Sequence, residues 1–269
     1  MPTRHVKLRV MSFNILKAGG TASAARWAGR RELVIQAIRA FDPDLLGTQE
    51  AKSRQARYLR CELGDYGFVS AGRDEGLFAG ECPAVLYRSE RFEKLDEGHF
   101  WLSRRPDRPG SRNWSSVVPR IVSWVHLRDL RRRGKGLFLF NTHFCPLSWR
   151  ARMRSVWVLR QQIARLAGRV PAVVTGDFNT RAGSRTYTTL LAGMNDGGLE
   201  LVDAYRAAHP DKARYEGTWH GPTGRRARRR IDWILHTPDF ATVDAAIDRA
   251  KRNGRFPSDH FAVTATLRW

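Results

Sequence analysis

An α/β sandwich with mixed sheets, rather than one purely parallel sheet, is the fold class the sequence predicts, and three observations carry it. Strand-like and helical spacings alternate over residues 6–50 and again over 136–179. Residues 82–144 read as successive strands joined by turns, with no helical spacing. Several apolar runs stop abruptly on polar side chains, which puts those side chains at the edge of a packed sheet.

Taken in order, "VKLRVMSF" at 6–13 alternates apolar and basic residues with period two, the mark of a strand with one buried face, and runs into Asn14. "WAGRRELVIQAIRAF" then spaces Leu33, Val34, Ala37, Ile38 and Phe41 as one helical face, and Asp42-Pro43 ends it. "DLLGTQE" is a strand that delivers Glu50 at its far end. "GLFLFNTHF" repeats the pattern, its apolar run ending on Asn141, Thr142 and His143. "SWRARMRSVWVLRQQIARLAG" places Met153, Val156, Leu159, Ile163 and Leu166 three or four apart, an amphipathic helix closed by Gly168. "VPAVVTGDFNT" is a buried strand ending on Asp177 and Asn179, and "RIDWIL" sets Asp232 in a short strand. The run "RRRGKG" at 131–136 lies between two strands and reads as a solvated hairpin tip, whereas "TGRRARRR" at 223–230 leads straight into Asp232.

Length and composition fit one large domain over residues 1–269, with a hydrophobic fraction of 42% and a mean hydropathy of -0.47. No apolar run approaches the roughly 18 residues that span a bilayer. His5, Lys7 and Arg9 interrupt the start, so no signal-peptide core of about 7–15 apolar residues is present, and a cytoplasmic location is expected. Cys61, Cys82 and Cys145 show no C-x-x-C spacing and an odd count, which predicts reduced thiols rather than a disulfide framework or a zinc site. No heptad or long exposed apolar segment calls for a partner copy, so a monomer is expected.

The formal charge of +21 attracts polyanions, whether nucleic-acid phosphates or acidic lipid headgroups. Only 7 of the 47 basic residues are Lys and the Arg excess runs along the whole chain, so Arg-biased codon usage explains the charge as well. Charge alone leaves both readings open.

The polar residues at strand ends are Asn14, Glu50, His143, Asp177, Asn179 and Asp232, followed by Asp259 and His260 in "FPSDHFAV". Singly, a G-D-x-N reads as a strand-ending turn and an Asp-His as a surface pair. Jointly, and if the sheet edges coincide, they form one pocket of carboxylates and histidines. Glu50 with Asn14 and Asp259 can supply the oxygen shell of a hard cation such as Mg²⁺, which keeps water and substrate oxygens as its other ligands. Asp177, Asn179, His143 and His260 are of the types that orient water and contact phosphoryl oxygens.

At this point the chain resembles the endonuclease/exonuclease/phosphatase family of metal-dependent phosphoesterases, on "MSFNI", "DPDLLGTQE", "NTHF", "TGDFN", "RIDWIL" and "PSDHFAV" in that order. "GRDEGLFAGECPAVLYRSERF", "PRIVSW", "EGTWHGPTG" and "DRAKRNGRFPSDH" are similar to a bacterial branch of it. The resemblance implies a four-layer α/β sandwich of the deoxyribonuclease I type, two mixed sheets face to face with helices outside. It implies Mg²⁺, with Mn²⁺ as a substitute, held mainly by Glu50 with Asn14 and Asp259. His260 would orient or deprotonate water, held by Asp232, while Asp177 and Asn179 position water and phosphate. His143 would stabilise phosphoryl oxygens, oriented by Glu81, with Arg120 as a phosphate contact and His220 as pocket wall.

With the charge, this gives a nuclease acting on DNA or RNA as the expected function. A phosphatase or phosphodiesterase for a small phosphorylated metabolite or lipid headgroup is the alternative, and a binding protein without catalysis a third, disfavoured because the full acid, amide and histidine set is present. Two departures from the bacterial branch touch the rim: Phe144, Cys145 and Pro146 stand where Leu-Asp-His often follows N-T-H, and Leu16 stands where a basic residue is common.

Overall fold

The computed structural model describes residues 6–18, 27–192, 198–224 and 229–269. In chain order its main elements are β1 (Lys7–Asn14), α1 (Arg31–Phe41), β2 (Leu45–Gln49), α2 (Ser53–Glu62), β3 (Tyr66–Ser70), β4 (Ala84–Arg88), β5 (Phe92–Trp101) and β6 (Ile121–Asp129). There follow β7 (Lys135–His143), α3 (Trp149–Ala167), β8 (Ala172–Asp177), α4 (Arg185–Leu191), β9 (Val202–Asp203), α5 (Ala204–Ala208), β10 (Asp232–His236), β11 (Ala241–Asp248) and β12 (Ala262–Arg268). Among the described residues no helix is long and apolar enough to cross a membrane.

The strands form two six-stranded sheets, ordered β11-β12-β1-β2-β4-β3 and β5-β6-β7-β8-β10-β9. Each has a parallel pair, β1 with β2 and β7 with β8, inside antiparallel neighbours. The parallel pairs are crossed by α1 and α3, the two helices read from spacing, because a parallel return needs a long crossover. Leu8, Val10, Leu45, Val85, Leu137, Leu139, Val173 and Ile234 meet between the sheets. Met11, Phe13 and Leu46 face outward onto Val34, Ile38 and Leu59 of α1 and α2. Phe140, Val174 and Trp233 pack under Val156, Leu159 and Ile163 of α3. The result is helix, sheet, sheet, helix: the mixed-sheet sandwich read from the spacings, in the four layers that the family resemblance implies.

Helix α2 has no counterpart in the sequence reading, because "SRQARYLRCE" buries only Gln55, Ala56 and Leu59 and lacks a continuous apolar face. Its start is set instead by Gln55, whose Oε1 accepts from the Lys52 N–H at 3.1 Å. The basic run at 131–136 does form the β6–β7 hairpin tip, at the opposite end of β7 from His143. All three cysteines are free thiols. Of "TGRRARRR", residues 225–228 lie outside the described residues.

Between the sheets the lining changes along the strands. On β1 the inward positions run Leu8, Val10, Ser12, Asn14; on β7 Leu137, Leu139, Asn141, His143; on β8 Val173, Thr175, Asp177. Period-two alternation fixes these faces. One end of the interlayer is therefore aliphatic, its middle carries small polar groups, and its far end is charged.

Candidate active site

The charged end exists because of register. Asn14, His143 and Asp177 close the C-terminal ends of β1, β7 and β8, and Glu50 follows β2 directly. Asn14 pairs with Gln49 across β1–β2, His143 with Asp177 across β7–β8, and Asp232 with Asp177 across β8–β10. A one-residue slip in any pairing would turn that side chain onto the helix face. Leu16, Glu50 and Asn179 all have positive φ, at 55°, 66° and 49°, so the backbone is strained where the strands hand over to the cleft.

Asn14 is the hub. Its Nδ2 lies 3.1 Å from Glu50 Oε1, 3.0 Å from Asp177 Oδ2 and 3.5 Å from His260 Nε2. Its Oδ1 accepts from the Leu16 N–H at 3.0 Å, and the Ser258 hydroxyl donates to its carbonyl at 2.7 Å. His260 Nδ1 faces Asp232 Oδ2 at 2.9 Å and Oδ1 at 3.2 Å, a carboxylate–histidine pair buried behind the cleft. Burial opposes the imidazolium, but the charges of Asp232 and then Asp177 outweigh it and raise the His260 pKa.

His143 sits on the other wall. Its Nε2 contacts Asn179 Nδ2 at 2.9 Å and lies 3.5 Å from Asp177 Oδ2, while its Nδ1 is 3.3 Å from Glu81 Oε2 without a directed hydrogen bond. Asn179 also donates to the Phe144 carbonyl at 3.0 Å, and its N–H to Asp177 Oδ1 at 2.9 Å. Glu81 is buried; that burial is overcome by His143, Arg73 and Arg120, which hold its carboxyl well below the usual range. Arg120 is itself 7% exposed, and its Nε and Nη1 have no hydrogen-bond partner although Nη1 stands 3.6 Å from Glu81.

The cleft in front of these groups has a volume of about 630 Å³. Among the described residues Glu50, Glu81, Asp177, Asp259 and His260 line it, together with five cations, Lys17, Arg120, Arg152, Arg181 and Arg229. The structure thus brings together Asn14, Glu50, His143, Asp177, Asn179, Asp232, His260, Glu81 and Arg120. Asp259 reaches the wall half-buried, but the close sets of oxygen and nitrogen donors centre, among the described residues, on Asp177: ligand atoms of Glu50, His143 and Asp177 lie within 4.8 Å of one another, as do those of Asp177, Asp232 and His260.

His220 is not a lining residue. Its ring stacks on Phe261 at 4.0 Å, its Nδ1 accepts from the Gly224 N–H at 3.2 Å, and burial lowers its pKa to about 4. Trp219, bridged in strand fashion to His260, faces the cleft instead. Sequence reasoning also passed over Lys17, whose N–H donates to Glu50 Oε2 at 3.1 Å and whose Nζ is 3.8 Å from Glu81, so a basic group does follow the "FNI" turn, one residue beyond Leu16. Arg30 and Arg73 were passed over too: Arg30 donates to the Ile15, Leu16 and Pro257 carbonyls, and Arg73 pairs with Glu81.

The donor set suits a divalent cation. Burial and the neighbouring Asp232 charge push the Asp177 carboxyl upward, so two buried carboxylates face each other with their charge not fully met. A hard cation taking oxygen from Asp177 and Glu50 would meet it.

The model of the Endonuclease/Exonuclease/phosphatase family matches residues 11–260. An endonuclease/exonuclease/phosphatase family protein of Bacteroides thetaiotaomicron is 31% identical and superposes with a TM-score of 0.88 over 99% of each chain. A mannosyl-6-phosphatase of the same organism is 31% identical, with a TM-score of 0.86 over 97% of this chain and 100% of that one. Nocturnin of Rattus norvegicus is 23% identical over 286 residues, 96% of this chain but only 63% of nocturnin's length.

Proposed function

The chain belongs to the endonuclease/exonuclease/phosphatase family of divalent-metal-dependent phosphoester hydrolases, and on that premise we propose that it cleaves phosphodiesters of nucleic acid with Mg²⁺ by in-line attack of water. The observation that carries the reading is the cleft itself, where Asn14 ties Glu50 to Asp177 and where Lys17, Arg120, Arg152, Arg181 and Arg229 share the lining. Glu50, Asn14 and Asp259 would hold the cation, with Asp177 close enough to join them, and Mn²⁺ would substitute. Bound there, it would neutralise charge building on the phosphoryl and leaving oxygens.

The chain's own groups do the rest. His260 orients the attacking water and takes its proton, kept in one tautomer by Asp232. With the Asp177 charge engaged by a cation, less of it would remain to hold a proton on His260. Asp177 and Asn179 fix water and phosphate in line, His143 and Arg120 donate to non-bridging oxygens, and Glu81 holds His143 in place. His220 braces the wall behind Trp219.

A second reading, hydrolysis of a small phosphorylated metabolite, draws on the likeness to the mannosyl-6-phosphatase and on the free donors of Arg120 at the cleft floor, which suit a terminal phosphate. The deciding experiment gives the purified protein single- and double-stranded DNA, RNA, mannose 6-phosphate and bis(p-nitrophenyl) phosphate, with Mg²⁺ or EDTA, alongside His260→Ala. Metal-dependent cutting of a nucleic acid that the variant loses supports the nuclease. Turnover of the sugar phosphate alone replaces it with the second reading.

A further inference from the structure

A second concavity lies outside the cleft, between α3 and the 103–114 loop. It has a volume of about 610 Å³, and its walls include Arg104, Trp114, Arg154, Trp157, Gln161 and Gln162. We propose that this groove is an exosite for single-stranded nucleic acid, in which a base stacks on Trp157 while flanking phosphates pair with Arg104 and Arg154.

Three observations carry it. Trp157 is 41% exposed on a helix whose inward face is fully occupied, so its indole is available to a planar partner, and Trp114 stands as the facing wall. Base–aromatic stacking is tolerant of sequence because every base has a π face. The charge is one-sided: α3 has five Arg and no acid, and between Trp101 and Arg120 the single acid is Asp107. Among the described residues neither Arg104 nor Arg154 is in an ion pair. Thirdly, Arg104 also lines an adjoining concavity with Arg105, Arg108 and Arg112, so the groove continues as a cationic track.

The groove and the cleft both border α3. Arg152 lines the cleft and Trp157 the groove, five residues on, about 8 Å of helix rise and about 140° around the axis, so the two concavities open on different faces of the helix. A chain held in the groove would have to pass round α3 to reach the catalytic groups. The amide of Gln161 supplies a neutral donor and acceptor for base edges, and Gln162, whose Oε1 accepts from Arg165 at 2.8 and 2.9 Å, keeps its Nε2 donor for them. A lipid surface is the less fitting occupant, because the groove is concave and its indoles are wall elements rather than protruding wedges.

The exosite rests on the nucleic-acid reading of the substrate, and its test separates the two. In EDTA, anisotropy of a fluorescein-labelled oligothymidylate of about a dozen nucleotides is measured with the wild type, Trp157→Ala, Arg154→Gln and Arg104→Gln. Trp157→Ala is expected to weaken binding about tenfold, and each Arg variant to weaken it and lower the salt slope by about one. Turnover of bis(p-nitrophenyl) phosphate with Mg²⁺ should stay unchanged in all three. Groove-dependent binding without nucleic-acid cleavage would leave the exosite standing and remove the nuclease reading. Equal binding by wild type and variants, no binding at all, or binding through Trp157 to phosphatidylglycerol vesicles in place of the oligonucleotide would overturn the exosite.

Discussion

Gly47 on β2 faces Asn141 on β7 across the two sheets so closely that a Cβ at position 47 would lie 2.5 Å from Asn141 Oδ1, and 2.0 Å from Thr175 Oγ1. The missing side chain lets Asn141 stitch the layers together. Its Nδ2 donates to the Thr48 carbonyl at 2.8 Å and the Ala84 carbonyl at 3.0 Å, and its Oδ1 accepts from Gln49 Nε2 at 2.7 Å. This polar stitch lies one step along the strands from Glu50 and His143, so the spacing of the sheets at the site depends on it.

Gly47→Ala is therefore expected to destabilise the protein by about 1–3 kcal/mol, the usual cost of overpacking a filled interior, and to lower activity by moving β2 off β7. Urea denaturation reads the first effect. An unchanged midpoint would mean the layers part freely at this point and the stitch carries no weight.

Much of this site was legible because the four parallel strands advertise their ends. Asn14, Glu50, His143 and Asp177 each close a segment in which an apolar run gives way to polar groups, a change of lining that marks the approach to the edge of the packed sheets. Lys17, which lines the cleft, and Arg30 and Arg73, which brace it from behind through the Ile15 and Leu16 carbonyls and through Glu81, gave no such signal, since they stand on irregular segments where no period says which way a side chain points. The Trp219–His220 pair shows the same limit at finer scale. Both residues stand in one short stretch, and only the bridge to His260 decides that the indole faces the cleft while the imidazole stacks on Phe261. Helix α2 stayed hidden because its buried face is one Gln, one Ala and one Leu.

Glu81 makes a pH-dependent contribution with a definite sign. Its carboxyl titrates below the usual value because, against its own burial, His143, Arg73 and Arg120 favour the ionised form. The stability it gives is fully present above the unfolded pKa of about 4.5 and is lost as pH falls toward the folded value. Glu81→Gln should lower stability at neutral pH by about 3–5 kcal/mol, the cost of leaving a buried charge without its partner. The gap to wild type should narrow below about pH 4.5. Paired urea titrations at neutral and acid pH check this, and a gap that stays constant with pH would remove Glu81 from the ion network.

Asp177 carries the opposite sign. Burial and Asp232 raise its carboxyl, so at neutral pH in the absence of metal its charge weakens the fold. Asp177→Asn keeps the acceptor atom and drops the charge. Without metal it should melt no lower than wild type, and Mg²⁺ or Mn²⁺ should raise the melting point of the wild type more than that of the variant, the wild type gaining about 2.7 kcal/mol of stability at a hundredfold excess over its Kd. A metal-induced rise of equal size in both proteins would remove Asp177 from the cation's ligands.

Asp232 tests how His260 is held. In the metal-free protein His260 stays protonated through neutral pH, because burial is outweighed by Asp232 at 2.9 Å and Asp177 at 3.8 Å, which raise its pKa to about 10. A raised histidine stabilises the fold below its unfolded pKa of about 6.5 and loses that contribution as pH climbs through the folded value. Asp232→Asn should therefore bring the His260 titration down, followed by ¹⁵N shifts of the ring, and its stability deficit should shrink as pH rises toward 10. With metal and substrate the same change should lower kcat roughly 10²–10⁴-fold, as expected when a general base loses the group that orients it. KM should move little, since Asp232 lies behind His260 and does not line the cleft. A variant with normal kcat and a shifted titration would show that Asp232 tunes the charge of His260 without serving the reaction.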